Sequence, residues 1–294
     1  MKKKSREEKT FQCIVNLMAI LVGAIVLYPL IYVVSASFSS PSRIMSGEVW
    51  LWPVEPTINA YKRVFGSMDI LTGYANTIYY SCFSTVISLV LTIMAAYPLA
   101  QRQMKGRGLI TFMIMFTMFF SGGMIPAYIN LRSLKMLNTV WAIVIPGAIS
   151  ASNMVIMRTY FQNSIPAELH EAAEIDGSSP LGTMLRIVLP LSKSILVVIT
   201  LYYFVGMWNS YSAPLLYLRD RSKWPLQIFL RQMLINSDMG DMGETVGEND
   251  LETLLLYEAL KYAIIVVSAV PLLVIYPMIQ RFFQKGIMMG SLKG

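Results

Sequence analysis

The sequence predicts an all-α, polytopic membrane protein with six transmembrane helices. Three observations carry that reading. The chain has 294 residues, of which 55% are hydrophobic and only 14% charged, whereas soluble domains average about a quarter charged. The charges are missing from windows long enough to cross the hydrocarbon core, which takes about 20 apolar residues. The basic residues also gather where a cytoplasmic surface would hold them: Lys2, Lys3, Lys4, Arg6 and Lys9 in the N-terminal tail, and Arg102, Lys105 and Arg107 in a short connection.

Taken in order, residues 1–10 form a basic cytoplasmic tail and residues 11–38 the first span, inside a stretch from 10 to 42 without a single charge. That run is too long for a signal-peptide core. Residues 39–71 make an extracytoplasmic segment with Trp50, Trp52, Pro53 and Pro56 and a short helix near Asn59–Phe65. Span two lies in 70–101, span three in 108–131 and span four in 136–157; Gly122-Gly123 before Pro126 is a weak point in the third. Span five runs from Ile187 through Trp208, with Lys193 near enough to the surface to snorkel. Residues 219–256 return outside, and span six covers 262–280. A mid-membrane charge costs roughly 2.5–3.5 kcal/mol, so windows this clean are hard to explain otherwise. Prolines inside or at the edges of spans, such as Pro29, Pro98, Pro146, Pro190 and Pro271, each remove a donor and favour a kink. Six crossings put both termini on one side, and the basic N-terminal tail makes that side the cytoplasm, together with the connection between spans four and five.

That connection, residues 163–186, is the polar exception in an apolar chain. Pro166 falls in the first turn of a short helix, where its missing N–H costs little. Gly177 supplies the left-handed stop, and Ser179-Pro180 restarts a second helix with a cap and a first-turn proline. Leu169, Ala172, Ala173 and Asp176 share one side by helical spacing, while Glu168, Glu171 and Glu174 line an adjoining acidic side. The two alanines are small enough to let another surface approach.

Several chemistries are excluded. Cys13 and Cys82 are unpaired in spacing, and His170 is the only histidine, so neither a disulfide nor a metal site is predicted. No G-x-x-x-x-G-K-[ST] cradle occurs, so any ATP must be bound by a separate polypeptide. The net charge of +7 forms no dense block with interleaved aromatics, which argues against nucleic acid. No enzyme chemistry is visible, and the spans are essentially free of the carboxylates a proton-coupled carrier uses.

The connection resembles the EAA loop of permease subunits of bacterial ABC importers: Glu171-Ala172-Ala173, three residues, Gly177, nine residues, then Ile187 and Leu189-Pro190. Ile125-Pro126 through Leu137-Asn138-Thr139-Val140-Trp141-Ala142, Trp208-Asn209 and Ala213-Pro214-Leu215-Leu216-Tyr217-Leu218 resemble carbohydrate permeases. The ending Lys285-Gly286-Ile287 through Gly294 is similar to the short-tailed second permease of maltose-type systems. The resemblance implies a type I ABC importer permease fold, with a transmembrane core over 72–283 and a cytoplasmic tail over 284–294 that reaches the ATPases. It implies a second homologous permease, two cytoplasmic ATPase subunits, an extracytoplasmic solute-binding protein and a carbohydrate substrate, in the bacterial plasma membrane. Glu168, Glu171, Ala172, Ala173, Asp176 and Gly177 become the ATPase-coupling residues. Tyr202, Trp208 and Asn209 offer rings and an amide to a sugar, as a substrate pathway. Ser178 and Ser210 depart from the family pattern, which has alanine and often an acid there. A permease for a non-sugar solute and a non-transporting membrane scaffold or sensor are the alternatives.

Overall fold

The computed structural model describes residues 6–240 and 258–277. Residues 1–5 of the basic tail, 241–257 of the second outer segment, the sixth span beyond Pro277 and the tail at 284–294 lie outside the described residues. Those described contain helices and no strand. They divide into two compact units, Met1–Ile70 with Leu230–Pro271, and Leu71–Phe229 with Leu272–Gly294.

In the first unit, helix α1 (Arg6–Ser37) contains an apolar span, Thr10–Ser37, none of whose apolar window is buried within the chain. Its end is tied to the segment that follows by hydroxyls. Ser35 Oγ donates to Leu51 O at 2.6 Å, Ser37 Oγ meets Tyr61 Oη at 2.7 Å, and Val54 N–H donates to Ser39 Oγ at 3.0 Å. Helix α2 (Pro41–Met45) was not expected from the sequence, whereas α3 (Asn59–Gly66) stands where a short helix was.

The second unit is built on α4 (Met68–Ala100), the long helix at the position of span two. From Thr77 to Thr92 it buries mostly hydroxyls: Thr77, Ser81, Ser84, Thr85, Ser88 and Thr92 are all 5% exposed or less. Small side chains of this kind let helices approach closely. At Gly73 the approach is closest, since a Cβ there would sit 2.7 Å from the Phe229 ring. The C-terminal end carries an apolar core of Ile93, Tyr97 and Leu99.

Beyond α4, hydropathy located the chain but did not reveal its direction. The stretch expected as span three is α5 (Arg107–Phe119) and α6 (Met124–Ser133), which meet at 113°. The break falls at Gly122-Gly123, where Gly123 has φ +84° and ψ 175°, a region essentially closed to residues with a Cβ. Span four is also not one helix. Four-residue α7 (Trp141–Val144) ends before Pro146, and α8 (Ala151–Ser164) restarts with Ser150 as its cap, accepting from Asn153 N–H. The loop helices α9 (Ala167–Ile175) and α10 (Pro180–Thr183) follow.

Span five does not begin at Ile187. Met184–Val188 form a π-helical turn, in which Leu189 N–H reaches back to Met184 O. Pro190 follows without an N–H to give, so the ladder loosens there. After the short α11 (Leu189–Leu191) the chain turns by 86° into α12 (Lys193–Trp208). Helices α13 (Ser212–Tyr217) and α14 (Leu226–Gly240), joined by a 3₁₀ turn at Arg221–Lys223, lead to α15 (Glu258–Pro277). Among the described residues, three helices are therefore long and apolar enough to cross a membrane, and the two bent pairs raise the number to five.

Side chains answer for the backbone at two of these helix ends. Arg158 Nε donates to Leu99 O at 2.9 Å and Gln162 Nε2 to Ala100 O at 3.4 Å. One face of α8 thereby satisfies the orphan carbonyls at the end of α4, and Arg158 is a half-buried cap rather than a loop charge. Tyr203 Oη, on α12, meets Thr92 Oγ1 at 2.6 Å and accepts from Ser150 N–H at 3.0 Å. One buried hydroxyl thus joins α4, α8 and α12. Tyr203→Phe should leave an amide and a hydroxyl without that partner and cost about 1–3 kcal/mol. Thermal unfolding of the detergent-solubilised protein checks this; an unchanged midpoint would show that the junction carries no stability.

Candidate functional site

The polar connection folds as a hairpin of α9 and α10, locked at both turns. Gly177, at φ +71°, lets two N–H groups fold back onto the end of α9: its own to Glu174 O at 3.0 Å, and Ser178 N–H to Ala173 O at 2.9 Å. This is a Schellman stop. Ser179 Oγ then accepts from Gly182 N–H at 3.1 Å, with Pro180 as the next residue. Ser178, where the sequence departs from the family pattern, is part of the lock, since Thr183 Oγ1 donates to its Oγ at 3.1 Å. Pro166 stands at the N-cap of α9, one residue outside the first turn expected for it.

The expected coupling residues divide by orientation. Ala173 faces the chain's own interior at 5% exposure, as do Thr183 and Met184. Glu168, Glu171, Ala172, Asp176 and Gly177 are exposed. Beside them stand three apolar side chains that the sequence reading did not single out: Ile175 is 86% exposed, Leu181 62% and Leu185 53%. Bare alkyl groups on a polar, hairpin-locked surface are the usual mark of a contact site. A signal for Ile175 was available. It continues the Glu168–Glu171 side by helical spacing, between two acids that give it nothing to pack against.

Beneath the hairpin lies a hollow of about 670 Å³, lined by Tyr97, Pro98, Gln101, Met104, His170 and Glu174 among others. The His170 ring lies 6.1 Å from that of Tyr97. Burial holds its imidazole below the ordinary value of 6.5, so it is uncharged at neutral pH.

The expected substrate-pathway residues are not brought together. Trp208 is 1% exposed, edge-on to Tyr74 and stacked on Phe204. It is a packing residue of the unit's interior and offers no face to a solute. Tyr202 is half-exposed, and Asn209 is exposed at the C-cap of α12, with its Nδ2 donating to Val205 O at 3.1 Å.

A locked polar hairpin thus lies between apolar helices, and comparison with known proteins gives the class of chain that carries it. Residues 70–288 match the family described as binding-protein-dependent transport system inner membrane component. The chain belongs to that family, and is thus a multi-pass inner-membrane permease subunit, not an enzyme. Members work with a further permease, ATPase subunits and a binding protein. Protein LplC of Bacillus subtilis (strain 168) is 40% identical over 273 residues, 93% of this chain and 91% of that one. The polygalacturonan/rhamnogalacturonan transport system permease protein YtcP of the same organism is 37% identical over 293 residues, 98% of this chain and all of that one. The crystal structure of a bacterial ABC transporter involved in the import of the acidic polysaccharide alginate matches with TM-score 0.85 and 35% identity, over 96% of this chain and 100% of that one.

The geometry yields a pair of expectations. Nothing lies within 4 Å of a Cβ placed on Gly177, so a substitution there is penalised by backbone conformation alone, by roughly 1–2 kcal/mol for ordinary residues and less for Asn. Gly177→Val should abolish uptake with membrane insertion intact, and Gly177→Asn should retain most of it. Equal uptake by the two variants would remove the turn from the mechanism. His170 takes up a proton less readily folded than unfolded, so stability should fall as pH drops through about 6.5. Unfolding midpoints measured between about pH 7.5 and 5.5 should show this slope, and His170→Gln should flatten it.

Proposed function

We propose that this chain is a permease subunit of a type I ABC importer for oligosaccharides that carry carboxylates, driven through the α9–α10 hairpin. The observation that carries the coupling role is the set of bare apolar side chains, Ile175, Leu181 and Leu185, on a hairpin whose turns are locked. Such a surface suits the groove of a cytoplasmic ATPase, with Glu168, Glu171 and Asp176 as its polar rim. Ala172 permits close approach, and Ala173 secures the hairpin from behind. In the assembly two ATPases bind, one on this chain and one on a homologous second permease. The joint at Pro190–Ser192 passes the movement of the hairpin to α12. The N-terminus is cytoplasmic, and six crossings result when the broken α7–α8 stretch is counted with the long helices and the bent pairs.

The cargo is inferred from two supports. The transporters named above for polygalacturonan/rhamnogalacturonan and for alginate handle acidic polysaccharides. This chain, with net charge +7, has no Asp or Glu between Asp69 and Glu168, nor between Asp176 and Asp220. An anionic sugar would meet no fixed like charge along those stretches, where repulsion is weakly screened. Tyr202 and Asn209 are the groups of α12 placed to meet it.

Ile175→Glu tests the coupling. In proteoliposomes holding the assembled importer, it should reduce binding-protein-stimulated ATP hydrolysis and uptake by at least about tenfold, as loss of a central contact does. Normal stimulation by that variant would overturn the docking role. Uptake of a neutral but not a uronate oligosaccharide by the wild type would overturn the cargo class.

A further inference from the structure

The first unit bares a strip of apolar side chains just after its span, in the segment between α1 and α3. We infer that Met45, Trp50, Leu51 and Trp52 form an interfacial anchor, seated among the headgroups and outermost methylenes of the bilayer. The inference uses the multi-pass class of the chain, and the orientation proposed above serves only to name the leaflet as the outer one.

The depth of the strip is set by its bonds to α1. Ser35 Oγ donates to Leu51 O at 2.6 Å, and Ser39 Oγ accepts from Val54 N–H at 3.0 Å. Ser40 N–H donates to Val54 O at 3.2 Å, and Thr57 N–H to Phe38 O at 2.7 Å. Residues 51–57 thus run as a strap along the last turn of α1 and the residues just after it. The apolar span Thr10–Ser37 has 28 residues, a length of about 42 Å. That matches a bilayer with its headgroups, about 40–45 Å, of which the polar zone takes only about 5–7 Å on each side. A strap bonded to the last turn of such a helix lies in that zone. Below it, Ile31 and Val34 of α1 are exposed, so the strip continues the bare surface of the span.

The strip is shaped to face outward. Ile44 and Val49 are buried and hold it from beneath, while Trp50 is 65% exposed and Trp52 81%, with Met45 and Leu51 bare beside them. Gly47 turns the chain at φ +73°, and its carbonyl accepts from the Trp50 indole N–H at 3.2 Å. The only charges between Phe38 and Ile58 are Arg43, Glu48 and Glu55, and one fork gathers all three. Arg43 Nη1 donates to Glu48 at 3.0 Å, and its Nη2 donates to Glu55 at 2.8 Å. Exposed ion pairs add little stability, but this one clips the residue before Val49 to the residue after Val54 and leaves no ionised group between them. Tryptophan gathers at membrane surfaces because its ring is apolar in body and polar at one edge. A sugar platform would set its rings among polar groups, whereas Met45 and Leu51 offer none and the Trp50 N–H is already given to the backbone. Among the described residues none buries the apolar window of α1, and the anchor gives that helix a fixed outer level.

The test puts a reporter on the strip in the full chain, assembled with its importer partners in proteoliposomes. Cys13 and Cys82 are replaced by serine, and Trp52→Cys is labelled with the fluorophore NBD. A spin label on the lipid headgroup should quench the emission at least about twofold more strongly than one at the bilayer centre, and aqueous iodide should quench it little. Arg43→Gln opens the fork, and should raise quenching by iodide and lower quenching by the headgroup label. Iodide quenching as strong as that of a free NBD–thiol conjugate would leave the strip in water and overturn the inference. So would protection from all the quenchers, which would place another subunit over it. So would an emission change on adding a uronate oligosaccharide with its binding protein, which would assign the rings to cargo. Should Trp52→Cys fail to assemble, intrinsic fluorescence decides. Brominated lipid should quench the wild type more than Trp50→Phe/Trp52→Phe, and equal quenching would overturn the inference. The lipid readouts do not depend on uptake or coupling, so their failure is distinct from failure of the importer reading.

Discussion

A helix that stops inside apolar surroundings leaves carbonyls or amides that water cannot reach, and each costs several kcal/mol unless something polar comes to it. The second unit depends on meeting this demand. α4 can end at Ala100 because Arg158 and Gln162, one turn apart on α8, bring donors to its last carbonyls. α8 can start at Ala151 because Ser150 caps it and Tyr203 takes the Ser150 N–H. Without these side chains the broken helices could not occupy such positions, and the hairpin that follows α8 would have no fixed root.

In the proposed coupling, the hairpin and its joint would divide the mechanical work. α9 and α10 are held by backbone and hydroxyl bonds at both turns, so a push on Ile175 moves them together. The chain then passes through a widened turn and a proline before it bends into α12. Stiffness lies where force would be received and looseness where direction changes. Lys193, exposed at the start of α12, marks the surface at which that change occurs.

The hairpin was legible from sequence because its signals are local. A glycine stop, a Ser-Pro restart and helical spacing each act over a few residues, and Gly177, Ser179 and Pro180 behave as their chemistry dictates. The bends were not legible, since hydropathy reports depth and says nothing of direction; a window such as 108–131 reads the same straight or folded at Gly123. Trp208 misled for a related reason. A tryptophan near a span end serves equally at an interface or in a core, and only Tyr74 and Phe204, the first distant in sequence, decide between them. Ile175 carried a signal in its helical spacing between two acids, but only its exposure shows that the side chain is left bare. Asn76 Nδ2 donates to Ser222 O and Asn138 Oδ1 accepts from Arg219 N–H, joining residues that the sequence separates by 146 and 81 positions, beyond the reach of any pattern.

Among the described residues, none buries the apolar window of helix α1, and the family match begins only at residue 70. Along that window the helix presents its side chains outward, to acyl chains or to a neighbouring subunit. Its residues therefore answer to a thickness and a polarity rather than to particular neighbours. Over evolutionary time such a segment is free to exchange Leu for Ile, Val or Phe, provided that its length and greasiness hold. α4, α8 and α12, by contrast, are bound to one another's side chains.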